Sequence, residues 1–99
     1  MGNAQRRERL IDALHSQSAE AAANGAFVVL DAMQQVGHPA KQVIGLACAF
    51  KNICRVAGVE PNELFAIVDK MEADCRYRFV NTLSAVEKYA EHEIARKFL

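Results

Sequence analysis

No charge of either sign dominates this chain, in which twelve acidic residues are matched by twelve lysines and arginines. A dedicated nucleic-acid binder usually carries a basic excess, so the balance counts against binding over the whole surface. Long apolar runs are also missing. Runs such as Ala26 to Leu30 fall far short of the roughly 20 residues that cross a bilayer as a helix. Arg6, Arg7 and Arg9 lie near the start, but no apolar stretch follows them, so a secretory leader is not expected. Cysteine is scarce and odd in number: Cys48, Cys54 and Cys75 form no CxxC pair. That spacing suits neither a disulfide framework nor a zinc site. All three sit among apolar neighbours and read as small core residues of a reduced, cytoplasmic protein.

The groupings that carry catalysis are lacking too. None of Ser16, Ser18 and Ser84 stands in a GxSxG turn. His92-Glu93 continues as Ile-Ala-Arg, so the second imidazole of a zinc-peptidase HExxH helix is missing. His15 and His38 read as a polar-face residue and a turn residue. The five glycines are scattered, and no phosphate-cradling loop can be built from them. A reactive cysteine needs a base and an electropositive niche, and Cys54 beside Arg55 is the nearest approach to one. The expectation is a protein without enzymatic activity, cofactor or metal.

What is present is helix. Just over half the residues are apolar, and many of these are alanine, the strongest helix former. Ninety-nine residues make one domain, 1–99. The two prolines, Pro39 and Pro61, each follow shortly after a glycine, Gly37 and Gly58. Glycine past one helix and proline just inside the next divide the chain into three helical blocks. The first runs from about Asn3 to Val36, with Asn24-Gly25 as its only internal turn signal. It is read as two helices meeting at that pair, although one long helix tolerating Gly25 is also open. In the second block, about Ala40 to Ala57, Val43, Ile44, Ala47, Phe50, Cys54 and Ala57 share a face that Leu46, Ala49 and Ile53 broaden. Such a helix is expected at the centre of the fold. The third block starts at Pro61. Its apolar residues step by threes and fours from Leu64 through Val68, Met71, Cys75, Phe79, Leu83 and Val86 to Ile94. Unbroken, this amphipathic C-terminal helix would be about 50 Å long, against about 25–30 Å for a domain of this size. It therefore either breaks near residues 73–78 or protrudes. If it protrudes, Tyr89, Ile94 and Phe98 become a surface for a second subunit or another protein. Met33, Met71, Phe27, Phe50, Phe65 and Phe79, at helical spacing, are expected in the core, but Phe65 marks a contact surface if it is exposed.

Charge is uneven within the neutral whole. Residues 38–58 contain Lys41, Lys51 and Arg55 and no acid. This basic island leads into Phe50-Lys-Asn-Ile-Cys-Arg-Val-Ala-Gly58-Val-Glu-Pro-Asn-Glu-Leu64-Phe-Ala-Ile-Val68. Gly58 marks a tight turn, Cys54 is the small residue four positions earlier, and Val59, Leu64 and Val68 can lock the second helix. With Ile53-Cys54 and Ala57-Gly58-Val59, the stretch resembles the helix-turn-helix of TetR-type repressors, over about a fifth of the chain. The resemblance implies that the second helix would enter a major groove, with Asn62 reading bases and Lys51, Arg55 and Lys70 contacting phosphates. Two carboxylates, Glu60 and Glu63, stand at the start of that helix, where they would repel the phosphates. The fold expected is an all-α bundle of four or five helices with a helix-turn-helix-like pair. The function expected is that of a small regulator or inhibitor that binds another protein through apolar helix faces, as a homodimer, with Phe65, Tyr89, Ile94 and Phe98 as contact residues. The alternative is a DNA-binding transcriptional regulator.

Overall fold

A computed structural model of the chain describes residues 2–97. Five α-helices follow one another: α1 (Gly2–His15), α2 (Ala19–Met33), α3 (Pro39–Ala57), α4 (Pro61–Tyr77) and α5 (Thr82–Glu93). A short 3₁₀ turn (Ala95–Lys97) closes the described chain. No strand occurs among the described residues.

The first break falls earlier than the Asn24-Gly25 pair. Ser16 Oγ donates to the carbonyls of Asp12 and Ala13, and Gln17 Nε2 donates to Ala13 O. These side chains satisfy the last carbonyls of α1 and end it. Ser18 then caps α2 by accepting the Ala21 amide at 3.0 Å. The alanines around Gly25 keep α2 helical through a residue that costs about 1 kcal/mol relative to alanine. Both prolines occupy the first turn of their helices, as the sequence implies. His38 caps α3, its Nδ1 accepting the Ala40 amide at 3.1 Å.

The C-terminal block breaks rather than protrudes. At the end of α4 the Val80 amide donates to Cys75 O at 2.9 Å and the Phe79 amide to Arg76 O at 3.2 Å. This is a Schellman closure, and Phe79 takes its left-handed position at φ 56°. Glycine normally fills that position, so the sequence carries no conventional stop signal there.

The core lies between α2, α4 and α5. Ala23, Cys75 and Leu83 are buried, with Phe27, Met71 and Val86 packed against them. α2 and α5 make the most extensive helix contact. Ile94 is also buried, and Phe27 meets Tyr89 edge-on at 5.4 Å between ring centres. α3 is not central. It touches the core through the end of α2 and through its elbow with α4. Gln42, at its first turn, is buried and donates to Val36 O at 2.6 Å, while its Oε1 has no partner among the described residues. α1 lies against the elbow, where Arg7 Nε donates to Gly58 O and Arg7 Nη2 stands 3.7 Å from Glu63 Oε1.

The result is a thin slab, 47 × 34 × 18 Å, with a radius of gyration of 14.9 Å. A 100-residue domain is expected near 13 Å. No large side chain is completely buried among the described residues.

Candidate protein-interaction site

The elbow between α3 and α4 is built by Gly58, whose φ of 71° only glycine adopts without strain. The Val59 amide donates back to Cys54 O at 3.0 Å, and Cys54 and Val59 are both buried beneath the turn. The chain bends through 108° here, within the range of helix-turn-helix pairs. The sequence-derived turn, small residue and first lock are therefore where the motif needs them. Val68 departs from it by remaining largely exposed.

With α3 held off the core by this bend, its apolar face points outward. Val43, Ile44 and Leu46 are exposed, and Ile53 is 63% accessible. Phe50 stacks on Phe65 across the elbow, with ring centres 5.3 Å apart and planes at 27°. Phe65 is 52% accessible, and Val68 follows it by one helical step. The two helices thus present one apolar surface, from Val43 through Phe50 and Phe65 to Val68. Scattered exposed apolar residues are ordinary, but contiguous ones mark interaction sites.

The other sequence-derived contact residues fare differently. Tyr89 is half-buried and spends its hydroxyl within the chain, donating to Asp31 and accepting from Gln34 Nε2 at 3.2 Å. The bond to Asp31 raises its pKa above the ordinary value, because ionisation would remove the donated proton and face a carboxylate. Ile94 is 6% accessible, so it packs inside the chain rather than on a shared surface. Phe98 lies outside the described residues. Lys51 and Arg55, one turn apart on α3, are exposed, as are Asn62 and Lys70. Lys70 is separated from the α3 cations, because it lines a groove of ≈ 720 Å³ between α1 and α4 with Ile11, Leu14 and Met71.

No family model matches the chain, and neither does any curated protein or solved structure at a significant level. No single helix among the described residues is long and apolar enough to cross a membrane; α3 and α4 together reach that composition only across their bend.

Sequence reasoning missed three features. Phe79, expected in the core, is 96% accessible, with Tyr77 beside it almost as exposed. Their interleaving with Arg76 and Arg78 was the available signal that this turn faces water. Cys48 is exposed, unlike Cys54 and Cys75. The outward turn of α3 had no signal in its own residues, since a wide apolar face looks the same whether a core or a partner covers it.

Proposed function

We propose that this chain is a small non-enzymatic regulatory protein that works by binding protein through the apolar face of α3 and α4. The observation that carries this reading is the Phe50–Phe65 stack, which joins the exposed residues of both helices into one surface. Aromatic residues at the centre of such a patch supply most of the binding energy when a partner excludes water from them. Capture on a tagged copy of the chain, co-expressed with an untagged copy in cells of its source, tests it. The tagged chain retains a specific protein, which includes the untagged copy itself. Phe65→Glu and Ile53→Glu abolish retention, whereas Lys70→Glu, in the groove between α1 and α4, leaves it. Retention that survives both apolar replacements overturns the reading.

The 108° elbow supports a second reading, a helix-turn-helix regulator that uses Lys51, Arg55, Asn62 and Lys70 on DNA. Lys70 faces the α1 groove, and Glu60 and Glu63 stand at the start of α4, so the cations do not form one phosphate-binding strip. The expected outcome of fluorescence anisotropy with a generic labelled duplex is no binding even at low salt. Binding that falls linearly on a log–log salt plot and is lost with Lys51→Glu would favour DNA instead.

A further inference from the structure

The chain exposes more surface than a folded monomer of its mass should. Its accessible area is 7518 Å², whereas a 10.9 kDa chain is expected to expose about 5,600 Å². The surplus is about 1,900 Å² per chain by that scaling. Two such surpluses fall inside the roughly 2,000–5,000 Å² that obligate homodimers bury. The thinness of the slab and the absence of any completely buried large side chain among the described residues point the same way. Half of a core is present, and the apolar face of α3 and α4 is where the other half would sit.

Charge identifies the occupant. α3 carries Lys41, Lys51 and Arg55 and no acid. α4 carries Glu63, Asp69, Glu72 and Asp74 against Lys70 and Arg76. The ion pairs of the described residues are Arg7–Glu63 and Arg78–Asp74. Lys51, Arg55, Asp69 and Glu72 therefore have no ion-pair partner among the described residues. Helical spacing puts Lys51 beside Ile44 and Ala47 at the rim of the α3 face, and Asp69 beside Phe65 at the rim of the α4 face. A two-fold axis brings the same patch of each copy together, with unlike halves opposed. A basic half and an acidic half flanking one apolar stripe are self-complementary under that operation.

We infer that the α3–α4 face seats a second copy of this chain, α3 of one protomer lying on α4 of the other about a two-fold axis. Phe50 and Phe65 of both copies form the centre, and Lys51 of each protomer faces the acidic rim of its partner. This rests on the reading of the α3–α4 face as a protein-binding surface and names the protein that it binds.

Sedimentation equilibrium of the full chain, with charge variants mixed and unmixed, tests the inference. The wild-type chain sediments at twice the 10.9 kDa chain mass. Phe65→Glu sediments as the monomer with unchanged helical circular dichroism, its dissociation constant raised at least about thirtyfold, the effect of losing a central aromatic anchor. Lys51→Glu and Asp69→Lys, both at exposed positions, each weaken association alone. Mixed in equal amounts they associate better than either alone, because each copy then meets the opposite charge. A monomeric wild-type chain overturns the inference, as does a mixture no tighter than its components. If the wild-type chain is monomeric but Phe65→Glu still abolishes capture of another protein, the surface reading stands and only the second copy is wrong. If capture is also indifferent to Phe65→Glu, both fall.

Discussion

Phe79 holds a left-handed backbone conformation at the end of α4 while its ring lies almost wholly in water. A non-glycine residue in that region costs about 1–2 kcal/mol, and an exposed ring returns little of it within the chain. Phe79→Gly is therefore expected to stabilise the fold by about 1 kcal/mol, read as a higher urea midpoint at unchanged slope. A lower midpoint would mean that the ring packs against something in solution. Tyr89 makes the opposite case, a side chain whose polar end is satisfied inside the chain. Its pKa is raised in the folded state by the bond to Asp31, so the stability it contributes is complete below about pH 10, the unfolded value. That stability is lost as pH rises through the raised folded value. Tyr89→Phe is expected to lower stability at neutral pH and to flatten the alkaline limb of a stability–pH profile. Identical alkaline limbs in the two proteins would remove the Asp31 bond as the cause.

Helix positions were legible where side chains punctuate the backbone. Pro39 and Pro61 start α3 and α4, and Gly58 turns the chain between them, all as local chemistry requires. The boundary between α1 and α2 was misplaced because Asn24-Gly25 looks like a turn, while Ser16, Gln17 and Ser18 act through hydrogen bonds that spacing alone does not reveal. The break after Tyr77 falls inside the expected 73–78 zone, even though Phe79 occupies the position that glycine usually fills. The exposure of Phe65 was foreshadowed by the excess of apolar neighbours around it. Ile94 and Tyr89 were not readable as inward-facing, because that depended on α5 folding back on α2. α3 also offers a chemical test of its exposure. Cys48 on its outer side is exposed, while Cys54 under the elbow and Cys75 in the core are buried. A thiol reagent is expected to modify one cysteine quickly and two only at the rate of opening. Three equally fast thiols would show that the elbow does not hold α3 as described.

Across the whole molecule, a slab 18 Å thick encloses a small core, while apolar residues of α3 and α4 lie on the outside. Two copies sharing the α3–α4 face would convert that surface into a second core layer. Arg76, Tyr77, Arg78 and Phe79 lie beyond the residues placed in that contact and would remain on the outside of the pair. If a second copy covers the α3–α4 face, association adds to the stability of a chain that also folds alone, and that added stability depends on protein concentration. The measurement that tests this most directly is the thermal midpoint of the wild-type chain over a hundredfold range of protein concentration. Each tenfold rise in concentration adds about 1.4 kcal/mol to a dimer's stability against two unfolded chains. The account predicts a midpoint that climbs steadily with concentration, and one that is flat for Phe65→Glu. A wild-type midpoint independent of concentration would contradict it.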